Sequence, residues 1–439
     1  MPVKTVPGTS LNYYLIAFDA AGNEREVYGI RASQEVLKVL SIEAITDVFL
    51  ISHGWLGDIP AAYQQYDKWI AAMAVQKADI ERMQQVRSQF RPLLIGLHWP
   101  SKPWGDEELR SSGVSFGLED VVPVERLVEQ YASRIANTEP SRQALETIFQ
   151  AAKEDIAPPT LPTEVRQAYQ ILNRESSLGS EGEGAAPGAD REPFDPERIF
   201  QVAEGEPVSD SGISWDGILA PLRTLSFWKM KDRARQFGES GGFKLLGDLQ
   251  RAAGDNVRFH LMGHSFGCIV VSAMLAGPNG RGSLVRPVNS VALVQGALSH
   301  WSYCSDIPVA PGRVGYFRSV VTDRKVDGPI ITTQSKFDTA VGKMYPIGAG
   351  IRQQIHFAPK LPKYGALGTF GVCGLDPSIV IDMNMLAVDA SYQFEPRKIY
   401  NLESSKFICD GTGGGLGGAH NDIAKPEVAH AVWQAAIGN

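Results

Sequence analysis

Residues 257–275 constrain this chain more than any other stretch. Val257-Arg258-Phe259-His260-Leu261-Met262 alternates well enough for a strand, and Cys268-Ile269-Val270-Val271-Ser272-Ala273-Met274-Leu275 is apolar and fits a helix. Between them stands Gly263-His264-Ser265-Phe266-Gly267, a G-x-S-x-G placed at a strand-to-helix turn. A turn this tight forces its central residue into a strained backbone conformation and pushes the hydroxyl clear of the sheet. The flanking glycines let strand and helix pass without a Cβ clash. The same five residues also suit a glycine-rich turn with an ordinary serine, so Ser265 as a nucleophile requires partners elsewhere.

The rest of the chain supplies a frame for this turn. Residues 46–52 and 92–100 are short runs rich in branched residues, the pattern of strands buried on both faces. Further strands are expected at 290–297, 328–335 and 397–402, and a hairpin over 11–30 with its turn at Ala21-Gly22-Asn23. Helix-like segments alternate with them, which predicts an α/β fold: a doubly wound, mostly parallel sheet. The core divides into an N-terminal part at 1–105 and a C-terminal part at 226–439. Between them, 106–225 reads as a largely helical cap insertion with a flexible loop near 178–190, where glycine is frequent and large apolar groups are few. A second excursion, rich in Gly and Pro, is expected at about 346–396.

Composition narrows the function classes. With a net charge of -7 over 439 residues, nothing favours nucleic acid or an anionic membrane as a partner. No stretch approaches the ~20 apolar residues of a membrane span, and the first residues lack the pattern of a secretory signal. Cys268, Cys304, Cys373 and Cys409 are scattered and form no C-x-x-C. A reduced, cytoplasmic protein without a metal site is the expectation.

A serine hydroxyl needs a base, a group to orient that base, and donors for the oxyanion. Of the eight histidines, His260 lies in the strand and His264 in the turn, and His430 falls within the closing helix. His420, in a loop after the last expected strand, can reach over the sheet ends and is the candidate base. Asp338 directly follows the 328–335 strand, at the carboxyl end where α/β sheets place their sites, and is the candidate acid. Its rivals are Asp323, Asp327, Asp376, Asp382 and Asp410. The backbone N–H groups of Phe266 and Trp55 are the expected oxyanion donors. His98, Trp99 and Trp104 are the expected substrate contacts, with Trp301 and Met344 as further rim residues, suiting a hydrophobic acyl or aryl group.

Taken in order, VFLISHGW, GLHWP, GHSFG, the strand ending before Asp338, and GGAHND resemble the α/β-hydrolase superfamily over about half the chain. The resemblance does not extend over 106–225 or most of 346–396. It implies a Ser-His-acid mechanism with no cofactor, acting on a small-molecule ester. Amidase, thioesterase and acyltransferase activities need the same residues, and an inactive binding protein on this fold is the rival from another class. The HGW sequence, in place of an HGGG run, leaves the substrate class open.

Overall fold

The computed structural model describes residues 3–27, 29–55, 58–101, 123–153, 158–203, 217–341, 361–411 and 418–438. Eleven strands form in chain order: β1 (Val3–Thr5), β2 (Asn12–Ala17), β3 (Glu26–Val27), β4 (Ile30–Arg31), β5 (Asp47–Ser52), β6 (Pro92–His98), β7 (Arg258–His264), β8 (Ser290–Val294), β9 (Ile330–Gln334), β10 (Val380–Asn384) and β11 (Ile399–Glu403). Nine of them make one sheet in the order β1-β2-β6-β5-β7-β8-β9-β11-β10. Every neighbouring pair is parallel except β1 with β2. The expected mostly parallel α/β architecture is therefore present.

Helices cover both faces, which is why the central strands read as unbroken apolar runs. On β5, Val48 and Leu50 turn to one core and Phe49 and Ile51 to the other. The first core packs against α1 (Ala32–Ile42), α8 (Ala220–Phe237), α9 (Phe243–Ala252) and α10 (Gly267–Ala276). The second packs against α2 (Ile59–Ala74), α3 (Lys77–Val86) and the closing helix Pro426–Ile437. All ten residues of α10 are buried, as a central crossover helix requires.

The insertion is helical as expected. α4 (Val124–Arg134), α5 (Glu139–Lys153), α6 (Thr163–Glu175) and α7 (Pro196–Ala203) enclose a separate apolar core around Leu145, Ile148, Tyr169 and Phe200. Its boundary at 225 does not fall in a linker. α8 runs through it, placing Leu222 and Leu225 in the insertion's core and Phe227, Trp228 and Met230 in the sheet's.

Three other expectations are corrected. The 11–30 hairpin reduces to a single bridge between Phe18 and Glu24, because β2 pairs with β1 and β6 instead. The 346–396 excursion includes β10, which extends the sheet parallel to β11; residues 342–360 lie outside the described residues. The segment 178–190 is not a loose loop. Glu183 and Asp190 are buried; Ser299 Oγ donates to Glu183 Oε2 at 2.8 Å, and Lys231 Nζ pairs with Asp190. The neighbouring Arg191 donates to Asn173 Oδ1 at 2.7 Å and to the Gly179 carbonyl at 3.0 Å. A Cβ at Gly188 would stand 2.6 Å from Asp232 Cβ, so glycine permits this close seating. Burial pushes the Glu183 carboxyl up to about 8, with Asp190 adding to the shift. Order here comes from polar partners distant in sequence, which composition does not reveal. Among the described residues, no helix is long and apolar enough to cross a membrane.

Lys231 and Asp190 are both buried, so removing the lysine takes a closely paired cation from a buried carboxylate. Lys231→Met is expected to lower unfolding free energy by about 3–5 kcal/mol. Adding Asp190→Leu is expected to recover much of that loss, as measured by urea titration of both variants.

Candidate functional site

β7 delivers Ser265 to the carboxyl end of the sheet. There the chain turns directly into α10, and Ser265 holds a positive φ of 55°. Two backbone hydrogen bonds with the neighbouring strand end pin it: Ser265 N–H donates to the Val294 carbonyl at 3.1 Å, and the Ala297 N–H donates to the Ser265 carbonyl at 3.2 Å. The serine is 6% exposed. This is the strained strand-to-helix turn that the five-residue pattern predicts. Phe266 is the N-cap of α10, so its N–H lies at the positive end of a helix dipole.

The loop after β5 presses against this turn. A Cβ on Gly54 would lie 2.7 Å from Ser265 Cβ and 3.2 Å from the His264 carbonyl, so only glycine fits. A buried network fixes the loop. His53 Nδ1 donates to the Gly54 carbonyl at 2.8 Å, and His53 Nε2 accepts from His98 Nδ1 at 3.0 Å. His53 N–H donates to Tyr66 Oη at 2.9 Å, and Trp99 Nε1 donates to the His53 carbonyl at 3.2 Å. With the Gly54 carbonyl turned to His53, the trans Gly54–Trp55 peptide aims the Trp55 N–H the opposite way. The Trp55 ring packs on Phe266 and Phe227 at 5.8 and 5.6 Å between centroids.

Asp338 and His420 are brought together from 82 residues apart, with His420 Nδ1 donating to Asp338 Oδ2 at 2.7 Å. The register comes from a bridge between Asp338 and Gly418 and from Ala419 N–H donating to the Phe337 carbonyl at 3.0 Å. The second carboxylate oxygen accepts from the Val341 N–H at 3.1 Å. Both side chains are buried, and the bond to Asp338 is made through Nδ1 rather than Nε2 of His420. His264 ties this pair to the turn. Its Nε2–H donates to the His420 carbonyl at 2.9 Å, its Nδ1 accepts from Gln65 Nε2 at 3.2 Å, and its ring lies 4.8 Å from that of His420. Among the described residues no hydrogen bond closes on the Ser265 hydroxyl; such contacts often tighten only when substrate is present.

The rival carboxylates have other partners. Asp323 accepts from Thr322 Oγ1, Asp327 pairs with Arg397, Asp376 accepts from the Ser378 N–H, and Asp382 accepts from Asn401 Nδ2. The Asp410 N–H donates to Asp422 Oδ2 at 2.9 Å. His430 is buried between Asp79 and the Ala390 carbonyl, a packing role.

The expected substrate contacts need correction. His98 and Trp99 are fully buried, with His98 Nδ1 and Trp99 Nε1 both bonded to His53. They hold the loop behind the site and do not line it. Trp301 is also buried, donating to the Lys363 carbonyl at 3.0 Å. Trp104 and Met344 lie outside the described residues. Sequence reasoning missed the His53–His98 pair and the reach of His264 to His420, because histidines 45 and 156 positions apart carry no local signal of pairing. Among the described residues, no cluster of His, Cys, Asp and Glu could hold a metal ion. Compared with family models, curated proteins and solved structures, the chain has no match.

Burial holds His53 and His300 neutral, each pushed down to about 3, and holds His260 and His264 well below the usual range. A histidine depressed in the folded state stabilises the fold above its unfolded value of about 6.5 and loses that contribution as pH falls. Unfolding free energy is therefore expected to drop between about pH 6.5 and 3, by up to about 1.4 kcal/mol per unit for each histidine. Denaturant titrations across this range measure the slope, and a flat profile would contradict it. Gly54→Ala is expected to cost about 1–3 kcal/mol through overpacking against Ser265, read as a lowered Tm.

Proposed function

We propose that this chain is a serine hydrolase of the α/β-hydrolase type that cleaves a carboxylic ester through an acyl-enzyme. The observation that carries the reading is the buried His420–Asp338 pair, held by His264 to the strained turn bearing Ser265. Strain and a paired, oriented imidazole at one sheet end are the features that nucleophilic catalysis requires.

In this mechanism Ser265 Oγ attacks the ester carbonyl carbon while His420 Nε2 takes the hydroxyl proton. Asp338 keeps the Nδ1–H tautomer in place and stabilises the imidazolium. The Trp55 and Phe266 N–H groups receive the negative charge that develops on the carbonyl oxygen. Collapse expels the alcohol, which takes its proton from His420, and leaves the acyl group on Ser265. Water then attacks the acyl carbon, giving its proton to His420, and the second collapse releases the acid and returns the proton to Ser265. Amide cleavage, thioester cleavage and acyl transfer would run on the same residues with a different leaving group or acceptor. The four cysteines are free, which fits a reducing, cytoplasmic setting.

A fluorophosphonate probe is expected to label the wild-type protein and to leave Ser265→Ala unlabelled. Asp338→Asn is expected to lower kcat for a 4-nitrophenyl ester by about 10³–10⁴-fold, while Asp410→Asn stays within about threefold of wild type. Absence of labelling, or labelling that survives Ser265→Ala, would sink the hydrolase reading.

A further inference from the structure

Ser265 shares its backbone strain with one other buried residue. Among the described residues, the non-glycine residues with positive φ are Gln89, Ser177, Ser265, Asn279, Gln295, Arg324 and Arg397. Five of these lie in exposed positions, where turns adopt that conformation; only Ser265 and Gln295 are buried. Gln295 immediately follows β8, whose last residue, Val294, pairs with His264 beside the nucleophile. Its φ is 46°, it is 0% exposed, and neither Nε2 nor Oε1 of its carboxamide has a hydrogen-bond partner. Its N–H donates to Thr333 Oγ1 at 3.0 Å, and the Gly368 N–H donates to the carbonyl of the next residue, Gly296, at 2.9 Å. Two costs thus converge on one side chain next to Ser265: a strained backbone and an unsatisfied buried amide. A fold retains such costs where a ligand repays them.

The position sets which part of a substrate arrives there. In the sheet β7 lies between β5 and β8. The Trp55 loop follows β5, so it and Gln295 stand on opposite flanks of the nucleophile. The base comes from the face of the second core, to which Ala419 and Ile423 belong. Gln295 is covered from the other face, by the segment holding Ala366 and Leu367 of the first core. Trp55 packs on that same first-core face, and its indole Nε1 is also buried without a partner. The leaving group must face His420, so the acyl arm is directed to the face of Gln295.

We propose that Gln295 is a specificity-determining residue that binds an amide group in the acyl portion of the substrate. The proposal rests on the serine-hydrolase reading and names the substrate class of that site. A carboxamide offers donor and acceptor side by side, and a second amide matches both. An aliphatic acyl chain would leave both unpaired, and sites with unpaired polar groups discriminate strongly against analogues lacking the partner.

The test compares 4-nitrophenyl N-acetylglycinate with 4-nitrophenyl pentanoate, esters of equal chain length that differ by the amide. Intrinsic reactivity cancels when their kcat/KM ratio is compared between proteins. The ratio is expected to fall at least tenfold in Gln295→Leu. It should also fall in Gln295→Asn, which tolerates positive φ and so keeps the test valid if the leucine variant does not fold. In parallel, calorimetry with N-acetylglycinamide on Ser265→Ala is expected to show binding that weakens at least tenfold when Gln295→Asn is added. An unchanged ratio in a folded variant, or no binding of N-acetylglycinamide, overturns the proposal. Binding that depends on Gln295, in a protein that turns over neither ester, supports the amide subsite and refutes the hydrolase reading instead.

Discussion

The pairing of β7 with β5 and β8 is the constraint on which the candidate site depends. These three strands are central, parallel and buried on both faces, so neither their register nor their tilt is free. Register carries His264 opposite Val294 and Ser52 opposite Gly263, and so fixes three strand ends side by side. From these ends issue the Trp55 loop, the Ser265 turn and Gln295. The two backbone bonds across the β7–β8 boundary hold Ser265 at a φ that an L-residue otherwise avoids. The strain is sustained by the sheet and not by the turn itself.

Around that turn the polar contacts are carried by histidine rings acting as spacers. His53 and His264 each use one ring nitrogen to donate and the other to accept, His98 Nδ1 donates to His53, and burial keeps His53 and His264 uncharged. A neutral imidazole can tie a backbone carbonyl to a side chain at fixed distance without bringing a charge near Ser265. His420 differs from them in one respect: its partner is a carboxylate, which stabilises the protonated ring that catalysis would create.

Much of this was legible in the sequence because it is local. The strand, glycine turn and helix around Ser265 are contiguous, and Asp338 and His420 each follow a strand that announces itself by apolar patterning. What could not be read is non-local. Gly, Glu and Ser at 178–190 look unable to order, yet Asp190 finds Lys231 41 residues on and Glu183 finds Ser299 116 residues on. His98 and Trp99 end a strand, and a one-dimensional pattern does not say whether such side chains face an opening or the back of a neighbouring loop. Gln295 carried no signal at all, because its meaning lies in a dihedral angle and in the lack of a partner.

The 18-residue helix α8 has a mechanical consequence for the insertion. At about 1.5 Å per residue it is a rod some 27 Å long, seated at one end in the insertion's core and at the other against the sheet. Phe227 on this rod packs against the rings of both Trp55 and Phe266, on either side of the chain turn at Ser265. An insertion joined through a rigid rod does not swing as a hinged flap. Any displacement of its core is transmitted along the axis and arrives as shear between aromatic rings beside Ser265. The geometry that would hold an oxyanion and the seating of a distant helical bundle are thereby parts of a single lever.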